Sequence, residues 1–156
     1  MVLVDRTLVQ LNLPSSARGL EWHYRIGPAG LPLDDPAVVH RVAAFEGIGL
    51  RPYAPAHLTA SARSDGGLDL EWTRRTRVDG DSWLGEDVPL GEASELYRVQ
   101  VLGAEGAVLR ESDVTAPAWT WSGAARLADA GAVAIAVAQV SQVFGAGPYR
   151  RIEIDG

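Results

Sequence analysis

From residue 56 onward, apolar and polar residues alternate in short runs broken by turn residues. Leu58, Ala60 and Ala62 interleave with Thr59, Ser61 and Arg63, and Asp65-Gly66-Gly67 supplies a turn. Leu68, Leu70 and Trp72 then interleave with Asp69, Glu71 and Thr73, and Tyr97, Val99 and Val101 with Arg98 and Gln100. A period of two sends alternate side chains to opposite faces, so each run predicts a strand with one buried face. Residues 107–114 read as the strand returning from a hairpin turn at 103–106. Trp119 and Trp121 flank Thr120 in another strand, and residues 124–130 have the composition of one or two helical turns. Val133, Ile135 and Val137 alternate with alanines, which predicts a strand buried on both faces. Gly145-Ala146-Gly147-Pro148 turns the chain into a last strand at 150–154.

About seven short strands in about 100 residues is the pattern of an all-β sandwich. The landmarks resemble a fibronectin type III-like domain: a proline-led first strand, a core Trp on the second and a Tyr on the third. Two departures stand out. No Tyr occupies the corner position before Val133, and the stretch between Trp72 and Tyr97 is long. Arg51-Pro52-Tyr53-Ala54-Pro55 opposes helix and central strand and predicts an extended connector. The expected organisation is therefore a β-rich extension over 1–55 and the sandwich over 56–156.

The first part also alternates, with Thr7, Val9 and Leu11, then Leu20, Trp22, Tyr24 and Ile26. Residues 38–45 fit a strand or a short helix, Asp34-Asp35-Pro36 being a helix-start signal. Two or three strands bury too little to offset chain entropy alone. The extension is thus expected to end a preceding domain, and the chain to be a carboxyl-terminal piece of something larger.

Charge narrows the partners. All 14 basic residues are Arg, and the net charge of −6 falls wholly on residues 57–156, which hold nine Arg against fifteen acids. An acidic domain is repelled by a phosphate backbone, so direct nucleic-acid binding is not expected. No apolar run reaches the roughly 20 residues that cross a bilayer, so no membrane insertion is expected. With no cysteine, neither disulfides nor thiolate metal sites can form.

No catalytic constellation emerges, and no enzymatic activity or cofactor is expected. His23, His40 and His57 are spaced by seventeen residues, without a close His pair or Cys. The 78–96 stretch carries Asp79, Asp81, Glu86, Asp87, Glu92 and Glu95 with no basic residue. Asp79 and Asp81 with Glu86 or Asp87 could offer hard oxygens to Ca²⁺, but the spacing matches no EF-hand. The plainer reading pairs these acids with Arg74, Arg75 and Arg77. Trp83 lies in this polar loop, where it either anchors an interface or folds back as a lid. The candidate partner-binding residues are accordingly Trp83, Asp81, Arg75 and Arg77.

Three stretches carry a wider resemblance. One runs from Arg18-Gly19-Leu20-Glu21-Trp22-His23-Tyr24-Arg25-Ile26-Gly27-Pro28 to Gly47-Ile48-Gly49-Leu50-Arg51-Pro52-Tyr53-Ala54-Pro55-Ala56-His57-Leu58. The second holds Trp72-Thr73-Arg74-Arg75-Thr76-Arg77, Asp79-Gly80-Asp81-Ser82-Trp83 and Val88-Pro89-Leu90-Gly91-Glu92. The third is Val137-Ala138-Gln139-Val140-Ser141 with Gly145-Ala146-Gly147. Together they resemble the carboxyl-terminal region of the large tail-tip (host-attachment or baseplate-hub) protein of gene transfer agents and related alphaproteobacterial tailed phages. In that family a glycoside-hydrolase-like barrel and hub-like β domains precede this region, and none of that is in these residues. The resemblance implies a structural and binding module at a virion tail tip, synthesised in the bacterial cytoplasm. It implies other tail or baseplate subunits as partners, a host-surface glycan as a further one, and a homo-oligomer, a trimer, in the full-length protein. The alternative from composition is a carbohydrate-binding module appended to a glycan-cleaving enzyme, since five Trp invite stacking on sugars.

Overall fold

The computed structural model describes residues 13–77 and 89–154. The chain divides into two compact units, Met1–Ile48 and Gly49–Gly156. Among the described residues strand makes up 47% and helix 11%, which places the fold in the all-β class.

In the first unit, β1 (Glu21–Ile26) pairs antiparallel with β2 (Val39–Ala44), with Glu21 opposite Ala44 and Ile26 opposite Val39. The helical option for 38–45 is therefore corrected to a strand. Asp35 explains it: its side chain accepts from the Ala37 N–H at 2.8 Å, and its carbonyl accepts from the Val38 N–H at 2.9 Å. Those bonds close a turn that delivers Val39 in extended conformation, so Asp35 spends its capacity on the turn.

The second unit is a fibronectin type III-like sandwich of antiparallel strands. One sheet has the order β3 (Ala56–Ala62), β4 (Leu68–Thr73), β7 (Ala118–Trp121). The other runs β10 (Arg150–Glu153), β8 (Ala132–Ser141), β5 (Tyr97–Gly103), β6 (Val108–Val114), with the short β9 (Gly145–Ala146) folded onto β8. The chain changes sheet between β4 and β5, between β6 and β7, and between β7 and β8. A single helix, α1 (Gly123–Ala128), makes the last crossing.

Leu58, Leu70, Trp72 and Trp121 from the first sheet meet Tyr97, Val99, Val101, Ile135 and Val137 from the second. Trp72 and Tyr97 meet edge to face at 5.2 Å, the arrangement favoured by the ring quadrupoles. Trp119 is half-buried against this core and Trp121 fully buried.

Two expectations need correction. Val133 was expected inside with Ile135 and Val137, yet it is 36% exposed. Pairing passes from Leu102–Ala134 to Gly103–Ala132, so the register shift falls at Val133 and re-aims its side chain. Ala60 and Ala62 were read as an inward set with Leu58, but both are exposed on the edge strand β3. Ala134, Ala136 and Ala138 of β8 are buried on the outer face, as two-sided burial of that strand implied. Their register neighbours are Arg98 and Gln100 of β5 and Arg151 of β10, long side chains that cover a small one.

Candidate partner-binding end of the sandwich

β4 ends at Thr73, and the arginines that follow fan out over one end of the sandwich, near the start of β5 and the end of β8. Arg74 Nη1 stands 3.7 Å from Glu95 Oε2, and Glu95 Oε1 accepts from the Tyr97 hydroxyl at 2.7 Å. Burial first, and the Glu95 carboxylate second, push the Tyr97 phenol well above its usual range, so it stays protonated and can donate to Glu95. Arg77 Nε donates to Glu92 Oε1 at 3.2 Å, and the Glu92 side chain is only 7% exposed. The Arg77 guanidinium also lies 5.5 Å from the Phe144 ring centre, and Arg75 lies 5.1 Å over Tyr53. A planar cation over a ring face is held by the ring quadrupole and keeps its N–H edge for other partners.

The β8–β9 hairpin completes this end. Ser141 Oγ accepts from the Val143 and Phe144 N–H groups at 3.3 Å each, and Gly145 takes the left-handed conformation (φ 81°) that glycine adopts without strain. Gln142 Nε2 donates to Ser94 Oγ at 3.0 Å, tying the hairpin to the segment before β5. Gly147 donates to the Gln139 carbonyl at 2.9 Å, and a side chain there would run into the Pro52 carbonyl. Under this surface, Arg51 Nε, Trp72 Nε1 and Gln139 Oε1 are buried with no hydrogen-bond partner among the described residues.

The sequence-predicted residues divide here. Arg75 and Arg77 stand at this end, but on aromatic rings as well as acids. Of the loop acids, Glu92 and Glu95 pair with Arg77 and Arg74. Asp81 and Trp83, like Asp79, Glu86 and Asp87, lie outside the described residues. Tyr53 and Phe144 were not singled out from sequence. Phe144, an aromatic between Ser141 and a Gly-rich turn where solvation alone needs none, was the available signal. Among the described residues no group of three or more His, Cys, Asp or Glu could hold a metal.

The opposite end is closed by α1. Ser122 caps the helix, its Oγ accepting from the Ala125 N–H at 3.3 Å. Asp129 accepts from Trp121 Nε1 at 2.9 Å and from Arg110 Nε and Nη2 at 2.6 and 3.1 Å. The Arg110 hydrogen bonds hold the Asp129 carboxyl below the usual carboxylate value. Asp65 accepts from the Gly67 and Gly123 N–H groups at 3.0 and 3.3 Å, where two backbones meet too closely for any side chain. A pocket of about 400 Å³ opens beside them, lined by Trp121, Arg126, Leu127, Ala132 and Ile154.

No family model matches the chain, and no curated protein matches it. Among solved structures it is similar to domains d3–d4 of the rat CD45 extracellular region, at 8% identity and a TM-score of 0.44, covering 99% of this chain and 74% of that one. It is also similar to titin domains A168–A170, at 13% identity and a TM-score of 0.41, covering 74% of this chain and 36% of that one. Both likenesses are distant, and the sandwich is defined by its own strand order and core.

Proposed function

We propose that this chain is a non-catalytic structural and binding module of a phage-like tail tip, contributing to baseplate assembly and host-surface attachment. The resemblance of the three sequence stretches motivates the reading. The observation that carries it furthest is the built end of the sandwich. There Arg75 and Arg77 are held on Tyr53 and Phe144, at the base of the acidic segment that contains Asp81 and Trp83. Long segments mounted on a rigid sandwich are where recognition is usually placed. Its partners on this reading are neighbouring virion subunits, arranged as a trimer around the tail axis, with a host glycan as a further target. The site of action is the virion tail tip.

The carbohydrate-module alternative needs an exposed aromatic platform. Trp72 and Trp121 are buried, and the Tyr53 ring already carries Arg75. The two readings separate on Trp83→Ala. Under the tail-tip reading, particles carrying it assemble or attach poorly while the purified domain melts as before. Specific glycan binding by the isolated domain, lost in Trp83→Ala with assembly intact, would favour the alternative.

A further inference from the structure

We propose that His23 and His40 form a two-histidine chelate for a divalent transition metal of the copper, nickel and zinc group. The antiparallel register puts His23 opposite Val42 and His40 opposite Arg25. The two histidines are thus diagonal neighbours on one face of the β1–β2 ribbon, within reach of long side chains. Nδ1 of His23 and Nε2 of His40 stand 2.9 Å apart, with ring planes 14° apart and ring centres at 5.1 Å. One ring nitrogen donates to the other, so this pair of atoms shares a single proton.

That spacing is also the one a metal imposes. At a metal–nitrogen distance of about 2.0–2.1 Å, two ligands at a right angle stand about 2.9 Å apart. Both side chains are exposed, so each ring can swing to aim its lone pair at one point without disturbing a core. Binding moves the shared N–H to the other nitrogen of its own ring, which leaves both facing nitrogens with a lone pair to ligate. The charged residues sharing this face among the described residues are Glu21 and Arg25. Arg25 opposes a bound cation and Glu21 favours it. No third protein ligand completes the site among the described residues, so water fills the remaining positions. Imidazole donors rank these metals with copper tightest.

The test is titration of the full chain with Cu²⁺ alone, followed by calorimetry and by paramagnetic broadening of the histidine resonances. The expected result is broadening centred on His23 and His40. His23→Ala and His40→Ala each weaken binding about tenfold to hundredfold, because the second ligand is held at high effective concentration. The double variant binds more weakly than either single one, since each single variant keeps one imidazole, and His57→Ala changes nothing. His40→Gln keeps a hydrogen-bonding group on β2, so it separates lost ligation from a disturbed hairpin, and it must lose copper as His40→Ala does. Unchanged affinity in either single variant, or equal dependence on His57, overturns the proposal.

Discussion

At the α1 end of the sandwich, the carboxylate of Asp129 is shared between the buried indole N–H of Trp121 and the guanidinium of Arg110, and Asp65 takes up two backbone N–H groups. At the Arg74–Arg77 end, by contrast, Trp72 Nε1, Arg51 Nε and Gln139 Oε1 are buried without partners among the described residues. Its arginines are split between acids and ring faces. The first end satisfies its polar groups within the fold, as buried groups must for stability. The second leaves three such atoms without a bond among the described residues. Stability should therefore draw more on the α1 end, and the proposed function sets partner recognition at the other.

The largest expected effect comes from the two core tryptophans. Trp121→Ala and Trp72→Ala should each cost about 3–5 kcal/mol in urea unfolding. Trp121→Ala should be the worse, because it also takes the indole N–H bond from the buried Asp129 carboxylate. A larger loss at Trp72 would reverse the assignment of the two ends.

Next in size is Asp129→Ala, expected to cost about 1–3 kcal/mol by leaving the Trp121 indole N–H unpaired. The pH profile sharpens this. Asp65, Asp69, Asp113 and Asp129 all have carboxyls below the ordinary 3.8. The leading causes are the Gly67 N–H for Asp65, the Thr120 hydroxyl for Asp69, Arg98 for Asp113 and Arg110 for Asp129. With folded values below unfolded ones, the unfolded chain takes up protons first. Their contribution is complete above the ordinary carboxylate range and is lost as pH falls through the folded values. Melting temperature should fall below about pH 4, and Asp129→Asn should flatten that acid limb. An acid limb unchanged in Asp129→Asn would remove Asp129 as its source.

The smallest effect belongs to the loop end. Arg77→Ala should cost about 1 kcal/mol, since the Arg77 side chain is itself 22% exposed and its removal lets water reach the Glu92 carboxylate. A loss comparable to that of Asp129→Ala would make this end structural.

How much of this was legible in sequence depended on where each residue's partners lie. The strands from β4 to β8 were readable because alternation records a two-layer core directly, and Leu70, Trp72, Tyr97, Val99, Ile135 and Val137 are inside as their spacing implied. Val133 shares that spacing, but a bulge depends on the register between strands, which no single run encodes. The same limit hid the His23–His40 pair. Seventeen residues look unrelated until 38–45 is known to be a strand, and then the pairing follows by counting. Arg75 and Arg77 could be named from their cluster, whereas Tyr53 and Phe144 reach them from segments far along the chain.

The most direct test of the proposed tail-tip role uses assembled particles. One set would carry Arg75→Ala with Arg77→Ala, and the other Arg126→Ala at the α1 end, with host attachment and particle yield measured beside the melting temperature of each domain. The account predicts that the Arg75/Arg77 particles assemble or attach poorly although the domain melts within a few degrees of wild type, while the Arg126 particles behave normally. Normal assembly and attachment in the Arg75/Arg77 particles would contradict it.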